Sequence, residues 1–402
     1  MISTDERSCP TPTFIESIRS TYDVEQEIDR ILTRKMLTRS GPGYVAVPLQ
    51  NLVKGIERLI RSEIGDKFAI ANARWLQGGA SKIQAAFELE WDGPDGTTPQ
   101  VTSMVLRMDP PAGIVETSRM REFQVLQMIE RHVPAPTAFW ADSTGEYLPQ
   151  PALICGFVTG VTKPSQRMAN VSGVGTNFGS DELRAELGAQ FVGHLAKIHT
   201  AVPAPDQLTA FDRPELNSSG IIRQINWWRR VWEEDRVEDL PLIDVAANWL
   251  ISHAPRLDHV SLVHGDYRSG NFLFDEADAR ITALLDWELA VLGDRHQDLA
   301  WATSRYFGHY HEDGETFLAS GMLPIEEFFD RYEQASGLPV DPERITYFRI
   351  FNEFCSTVHM LATARRVAKH SKTHQDIVVA WISMIGPIVL SQLRDHLEEV
   401  MS

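Results

Sequence analysis

The sequence predicts an α+β protein of two lobes: a small lobe with an antiparallel sheet and a helix, and a larger, mainly helical lobe. The chain has 402 residues, whereas a single hydrophobic core seldom grows beyond about 250–300 residues. Short strand-like runs begin near residue 68, and helical patterns dominate after about residue 182. With 43% hydrophobic and 23% charged residues the composition is that of a folded globular protein. We therefore expect a cleft between two lobes.

The first elements are predicted to be helices. Apolar residues recur every three or four positions in residues 15–37 and 48–64, on either side of the Gly-Pro-Gly break at 41–43. This spacing indicates two amphipathic helices, one before and one after the break. We assign residues 1–66 to an N-terminal helical extension.

The small lobe is predicted to span residues 67–158. Two strands joined at Gly78-Gly79 are indicated by AIANARWLQGGASKIQAAFELEW, and a third by TSMVLRM. A helix then follows in ETSRMREFQVLQMIERH, and two more strands in FWADSTGEYL and PALICGFV. The order is three strands, one helix and two strands, which outlines an antiparallel sheet.

The large lobe is predicted to span residues 159–402 and to be mainly helical. Its main exception lies at residues 261–289, where the short apolar runs NFLF and ITALLDW flank the turn-like DEADAR. This pattern is typical of a β-hairpin. Polar residues gather at both ends of the predicted hairpin, which makes these ends candidates for a catalytic site.

Charge and cysteine content exclude several classes of function. The formal net charge is -17, which repels nucleic acid and anionic membranes. The three cysteines are widely separated and lack metal-ligand spacing, which fits a reducing cytoplasm. The polar start of the chain shows no export signal, and no apolar run approaches the length of a membrane span. We expect a cytoplasmic protein without nucleic-acid or membrane partners.

The strongest chemical signal is His264-Gly265-Asp266, followed by Asn271 and by Asp286 at the end of the next strand. An aspartate can orient and deprotonate an attacking hydroxyl, while an asparagine oxygen and a second aspartate hold Mg²⁺ against ATP phosphates. The alternative is that the same residues cap a strand, pair with nearby bases and form a turn. Their joint occurrence at this spacing favours the catalytic interpretation.

These residues also carry a resemblance to a known family. HGDYRSGNFLF, LLDWE and GDRHQDLAW resemble the signature of the aminoglycoside phosphotransferase and choline kinase superfamily, which has a protein-kinase-like fold. GGASK, VLRMDPP and REFQVL are similar to the kinase-like domains attached to some acyl-CoA dehydrogenases. The resemblance implies that Asp266 is the catalytic base and that Asn271 and Asp286 are the metal ligands. It also implies that Glu288 assists and that Asp298 holds the catalytic segment by hydrogen bonds.

Nucleotide contacts follow from the same resemblance. Gly79 and Ser81 would place backbone N–H groups and a hydroxyl over the phosphates. Arg107 stands where most relatives carry a lysine that holds the ATP phosphates, and its fork has a different shape. Glu122 is its expected partner, the alternative being an ordinary pair with Arg119 or Arg121 on its own helix.

Adenine recognition is expected where the last strand of the small lobe ends. There the Gly156 carbonyl and the Val158 N–H could bind the adenine edge. The alternative is a plain buried strand that ends in a turn at Gly160.

The sequence thus predicts an ATP- and Mg²⁺-dependent small-molecule kinase that phosphorylates a substrate hydroxyl. The acceptor stays open among an aminoglycoside-like sugar, an amino alcohol and a hydroxyacyl-CoA. A catalytically silent pseudokinase with a regulatory role is the alternative, suggested by Arg107. Three roles stay open for the N-terminal helices: covering the small lobe, forming a homodimer contact or closing over the acceptor site.

Overall fold

The computed structural model describes residues 4–76, 81–165 and 175–402. The chain begins with four helices: α1 (Thr4–Ser8), α2 (Pro12–Thr21), α3 (Gln26–Leu37) and α4 (Leu49–Ile64). The prediction of one helix before the Gly-Pro-Gly break was therefore wrong. The chain reverses between α2 and α3, so that Phe14 and Ile18 pack against Met36. Helices α2 and α3 have the same apolar spacing, so the spacing alone does not show where the chain turns between them.

The small lobe is a five-stranded antiparallel sheet. Its strands are β1 (Phe68–Trp75), β2 (Ile83–Trp91), β3 (Gln100–Met108), β4 (Ala138–Asp142) and β5 (Ala152–Gly156), in the order β1-β2-β3-β5-β4. Helix α5 (Arg119–Ile129) lies between β3 and β4 in the chain, and the Ser118 hydroxyl caps it by accepting from the Arg121 N–H. The predicted order of strands and helix is confirmed.

Helix α4 covers one face of this sheet. Its buried residues Leu52, Ile56 and Ile60 belong to one apolar cluster with Phe87 and Leu106 of the sheet. The apolar stripe of α4 follows the helical period. The last of the N-terminal helices is thus packed into the core of the small lobe.

The large lobe is mainly helical, as predicted. Its helices are α6 (Asp181–Thr200), α7 (Ser219–Asp235), α8 (Pro241–Ser252), α9 (His296–Ala302), α10 (Ile325–Ser336), α11 (Pro342–Val358), α12 (Ala364–Lys369) and α13 (Asp376–Met401). A π-helical turn, His359–Thr363, joins α11 to α12.

Short antiparallel strands are set among these helices. They are β6 (Ser261–Val263), β7 (Phe272–Asp275), β8 (Arg280–Leu284), β9 (Val291–Gly293), β10 (His309–Tyr310), β11 (Phe317–Ala319) and β12 (Leu323–Pro324). β7 and β8 form the predicted hairpin, and β6 pairs with β9. The α+β, two-lobed fold class is confirmed.

The connection between the lobes runs along the β7–β8 hairpin. Val161 and Phe274 exchange two backbone hydrogen bonds of 2.9 and 3.0 Å. The Thr282 hydroxyl donates to the Thr159 carbonyl at 2.9 Å. These bonds fasten the connection to the hairpin that carries the predicted catalytic residues.

Helix α13 is unusually apolar. Within the described residues, Ile377–Met401 is the one segment long and apolar enough to cross a membrane by length and composition, with a mean hydropathy of 1.6. The sequence prediction of no span did not anticipate it. One face of α13 packs into the large lobe through Val379, Val389, Leu393 and Leu397. The helix therefore contributes to the core of this lobe.

Candidate active site

The loop between β6 and β7 is held in place by a buried carboxylate. Asp298 accepts hydrogen bonds from the backbone N–H groups of His264 at 2.6 Å and Gly265 at 2.9 Å. A side chain at Gly265, whose φ is +83°, would meet the Leu289 carbonyl at 2.5 Å, so the loop needs glycine there. Asp298 thus holds the segment as the resemblance implied.

Asp266 is held by three donors. Its Oδ1 accepts from Trp301 Nε1 at 2.7 Å and Arg268 Nε at 2.9 Å, and its Oδ2 accepts from Asn271 Nδ2 at 2.6 Å. The side chain is 22% exposed. Hydrogen bonds of this kind fix the orientation of the carboxylate. The arrangement suits a base that receives a proton from a hydroxyl.

Asn271 and Asp286 are brought together by the hairpin. The side-chain nitrogen Nδ2 of Asn271 donates to the backbone oxygen of Asp266 at 2.9 Å and to Asp266 Oδ2. These bonds leave Asn271 Oδ1 available for another partner. The Leu285 N–H donates to the Asn271 carbonyl at 2.8 Å, and the next residue, Asp286, has a 40% exposed side chain. Two neighbouring oxygen donors of this kind fit the preferences of Mg²⁺.

Arg107 links the small lobe to the predicted metal site. Its Nε lies 3.1 Å from Glu122 Oε1, and its Nη2 donates to Asp286 Oδ1 at 2.9 Å. Burial acts to lower the pKa of Arg107, but the carboxylates of Glu122, Asp286 and Glu288 outweigh it and raise that pKa. The guanidinium is therefore a permanently charged bridge between Glu122 of the small lobe and Asp286 of the large lobe.

Both predicted partnerships of Glu122 occur together. Glu122 contacts Arg107 with one carboxylate oxygen and Arg119 with the other, and it is 2% exposed. Arg121 instead pairs with Glu25 of the N-terminal segment, at 3.0 Å. The two interpretations of Glu122 were thus not exclusive.

Lys82 belongs to the site although the sequence did not predict it. This lysine is 1% exposed, and its Nζ lies 3.0 Å from Glu288 Oε2, 3.2 Å from Asp109 Oδ1 and 3.1 Å from Thr117 Oγ1. A lysine at the start of a predicted internal strand was the available signal, because a buried lysine requires a partner. Lys82 adds a second cation of the small lobe to the site.

The negative charge of Glu288 is balanced by neighbouring cationic side chains. Burial acts to raise its pKa, but Lys82, Arg119 and Arg107 together lower it to about 2. Arg119 Nη2 donates to Glu288 Oε2 at 3.2 Å. Asp286 is more exposed than Glu288, whose side chain is 12% exposed, so Asp286 is the carboxylate of this segment that a ligand can reach.

The end of β5 offers one unused backbone donor. The Gly156 N–H donates to the Thr137 carbonyl at 2.8 Å, and the Phe157 N–H donates to the Ser103 carbonyl at 2.9 Å. Among the described residues, the Val158 N–H has no hydrogen-bond partner. Ser81 is half-buried beside β2, whereas Gly79 lies outside the described residues.

His359 is a second residue that the sequence did not predict. It begins the π-helical turn, and burial lowers its pKa to about 4 although Asp266 and Glu288 act to raise it. The ring is therefore neutral at pH 7. π-Helical turns are frequent at functional sites. The electrostatic interaction of His359 with Asp266 and Glu288 indicates that this turn lies near the candidate active site.

Known proteins share this sequence pattern and geometry. A model of the phosphotransferase enzyme family matches residues 93–345, more than half of the chain. Acyl-CoA dehydrogenase family member 11 of Gallus gallus is 28% identical over 227 residues, covering 53% of this chain and 28% of the relative. Family member 10 of Mus musculus is 24% identical, covering 59% of this chain and 22% of the relative. The chain thus spans about a quarter of the length of these relatives.

Two solved structures share the fold. A Ralstonia eutropha protein assigned to the aminoglycoside phosphotransferases has a TM-score of 0.61 and 21% identity, covering 86% of this chain and 98% of that one. Plasmodium vivax ethanolamine kinase has a TM-score of 0.51 and 12% identity, covering 98% of both chains. The predicted protein-kinase-like fold is confirmed.

Proposed function

Because the chain belongs to the phosphotransferase enzyme family, we propose that it is an ATP-dependent kinase that transfers the γ-phosphoryl group to a hydroxyl of a small molecule. One observation carries the proposal. The Asp266 carboxylate is fixed by three donors, one of which is Asn271, and the Asn271 carbonyl accepts from Leu285, the chain neighbour of the exposed Asp286. This arrangement supports Asp266 as the base and Asn271 and Asp286 as nearby metal-binding residues.

Asp266 acts as the base in this proposal. Trp301, Arg268 and Asn271 hold its two oxygens, so the carboxylate needs no reorganisation when a hydroxyl approaches. It orients that hydroxyl and accepts its proton as the new bond to phosphorus forms. Phosphoryl transfer depends mainly on positioning and charge neutralisation, which this rigid arrangement supplies.

Asn271 Oδ1 and Asp286 would hold a magnesium ion, which would neutralise charge on the ATP phosphates. Arg107 is ready to serve the same phosphates, because its guanidinium already reaches the cleft at Asp286. Glu122 anchors the other side of that guanidinium. Lys82 and Arg119 form ion pairs with Glu288. Of the two carboxylates in this segment, Asp286 is therefore the one that would bind the metal ion.

The small lobe would bind the nucleotide base and cover its phosphates. The unpartnered Val158 N–H is a donor for the adenine edge, and the Gly156 carbonyl at the end of β5 is the matching acceptor. Ser81 and Gly79 complete the proposal as phosphate contacts. Backbone recognition of this kind needs no particular side chain, which is why the sequence marks it weakly.

The acceptor class follows from the relatives only in outline. Ethanolamine kinase and the aminoglycoside phosphotransferases are named for hydroxyl-bearing acceptors, and the sequence relatives include acyl-CoA dehydrogenase family members. We therefore propose a small hydroxylated acceptor, to be sought among aminoglycosides, amino alcohols and hydroxyacyl-CoA esters. The cysteines Cys9, Cys155 and Cys355 are free thiols, which supports a cytoplasmic site of action.

The test is ADP release from Mg-ATP with these acceptor classes, using the parent protein and the Asp266→Asn variant. We expect one class to stimulate turnover and the variant to lose roughly 10²–10⁴-fold in kcat, because general base catalysis contributes about that much. Asp275→Asn is the matched control, since Asp275 is an aspartate at the end of β7, next to the loop of Asp266, and caps the turn of the β7–β8 hairpin. It should keep full turnover.

Two outcomes separate the kinase from the pseudokinase. ATP binding without turnover on any acceptor class would favour a nucleotide-binding regulatory module. Equal losses in Asp266→Asn and Asp275→Asn would show that the hairpin fold, not the base, was affected. A protein that binds no ATP would contradict both functions.

A further inference from the structure

A second pocket lies away from Asp266, where three parts of the chain meet. It is a small cavity of about 30 Å³ between the end of α3, the loop before α5, and α12 with the residues that follow it. None of the predicted catalytic or metal-binding residues lines it. Its basic side chains are Lys35, Arg39, Arg366, His370 and Lys372, and its acidic ones are Glu116 and Asp235.

The acidic groups do not balance the basic ones. Asp235 is shared by Arg39, which contacts its Oδ1, and by Lys35, whose Nζ lies 3.1 Å from its Oδ2. Lys35 Nζ also lies 2.8 Å from Glu234 Oε2, but Glu234 is itself shared with Arg230. Arg366 Nε donates to the backbone oxygen of Asp235 at 2.8 Å rather than to the carboxylate. Burial raises the pKa of Glu116, which weakens it as a counter-charge. The pocket therefore carries excess positive charge.

Two buried nitrogen atoms in the pocket have no hydrogen-bond partner among the described residues. Arg366 is 3% exposed, and its Nη1 has no hydrogen-bond partner among the described residues, nor does His370 Nε2. Leaving a buried donor unpaired is unfavourable, and more so when the donor is charged. Native proteins rarely leave such groups unpaired without a functional reason.

The pKa shifts of Arg366 and His370 agree with an excess of positive charge in the pocket. Burial lowers the pKa of Arg366 to about 10, although Asp235 acts to raise it. Burial also lowers the pKa of His370, and Arg366, Arg39 and neighbouring lysines lower it further. Arg366 and His370 are thus destabilised as cations by burial and by neighbouring positive charges, so an anion placed beside them would be stabilised.

We propose that this pocket binds a phosphate group, either free phosphate or the end of a phosphomonoester. A doubly charged tetrahedral anion can accept from Arg366 Nη1 and His370 at once, and guanidinium groups match phosphate geometry. The anion would join the N-terminal helices to the large lobe at a point where their cations now repel. The pocket is distinct from the nucleotide cleft, so the proposal does not depend on the kinase activity.

The test is calorimetric titration with inorganic phosphate and, separately, with glycerol phosphate, at constant ionic strength and with saturating Mg-ADP present. We expect one saturable site per chain. Arg366→Gln should weaken binding by about tenfold or more, because hydrogen bonds to charged groups contribute about 1.5–3 kcal/mol. Arg365→Gln is the matched control, since Arg365 is adjacent but pairs with the surface residue Glu238, and it should bind as the parent does.

His370→Gln provides a second variant in case Arg366→Gln fails to fold. Tighter binding of one titrant identifies whether the site takes the free anion or the ester. The proposal is overturned if phosphate shows no saturable binding, if it binds only when ADP is absent, or if Arg365→Gln weakens it as much as the pocket variants do.

Discussion

At the residue scale, the candidate active site rests on a buried network of opposite charges. Lys82, Arg107 and Arg119 face Glu122 and Glu288 within 3.2 Å or less. Asp109 joins the network through Lys82 and Arg119. Removing one partner of a buried ion pair leaves an uncompensated charge, which typically costs about 3–5 kcal/mol.

Lys82→Met should therefore lower the free energy of unfolding at pH 7 by roughly 3–5 kcal/mol. The deficit should depend on pH in a defined direction. The pKa of Glu288 is lowered from 4.5 to about 2, so its contribution is fully present above about pH 4.5 and is lost as the pH falls towards 2. Without Lys82 that pKa lies closer to 4.5, so the deficit should shrink over the same range.

Urea unfolding of parent and variant at several pH values between 7 and 3 measures both effects. Lys54→Met is the control, because Lys54 is exposed on α4 and should change stability by less than about 0.5 kcal/mol. A Lys82→Met deficit that stays constant with pH would mean that Lys82 does not set the titration of Glu288.

At the element scale, the connection between the lobes depends on close backbone approach. Gly160 has φ of +149°, and a Cβ there would lie 2.7 Å from Thr282 Oγ1 and 3.0 Å from Leu273 Cβ. A side chain would push the connection away from the β7–β8 hairpin. The paired hydrogen bonds between Val161 and Phe274 lie beside it.

Gly160→Ala should thus destabilise the protein by about 1–3 kcal/mol through strain and loss of this contact. Hydrogen exchange at the Val161 and Phe274 amides should become faster, because their mutual bonds open. Gly193→Ala is the matched control: Gly193 lies in α6 with no atom within 4 Å of its would-be Cβ. It should be neutral or slightly stabilising. An unchanged hydrogen-exchange rate at Val161 in Gly160→Ala would contradict the role of Gly160 in packing the connection against the β7–β8 hairpin.

At the scale of the whole molecule, Asp235 joins the N-terminal helices to the large lobe. Its buried carboxylate contacts Lys35 and Arg39 of the N-terminal segment and accepts from the Thr363 hydroxyl at 2.7 Å. Burial acts to raise the pKa of Asp235, but Lys35, Arg39, Thr363 and Arg366 outweigh it and lower it. The extension is thereby packed as part of the fold.

Asp235→Asn should lower the free energy of unfolding by roughly 3–5 kcal/mol, because Lys35 and Arg39 lose their shared counter-charge. Urea unfolding followed by tryptophan fluorescence measures the loss. Asp239→Asn serves for comparison, since Asp239 is 79% exposed and pairs only with the nearby Arg236 among the described residues. A deficit of similar size in both variants would show that the loss does not come from the buried contact.

The sequence by itself determined the two lobes, the order of the small-lobe elements, the hairpin and the place of Asp266, Asn271 and Asp286. These features are local: the three polar residues lie in the β6–β7 loop and just after β8, within 21 residues of one another in the chain, so their spacing already specifies their approximate geometry. Family membership follows from the same short block. The roles assigned to Gly79, Ser81, Gly156 and Val158 stay predictions, since backbone contacts depend little on side-chain identity.

Only the tertiary structure decided which distant residues meet. Arg107 and Asp286 are 179 residues apart in the chain. For Lys82 and Asp235, no sequence motif indicates which residues they contact. The reversal between α2 and α3 likewise came from apolar faces that pack on each other, not from a break in periodicity. Periodic patterns record which face of an element is buried, but not what buries it, so charge networks between lobes leave no mark on local sequence.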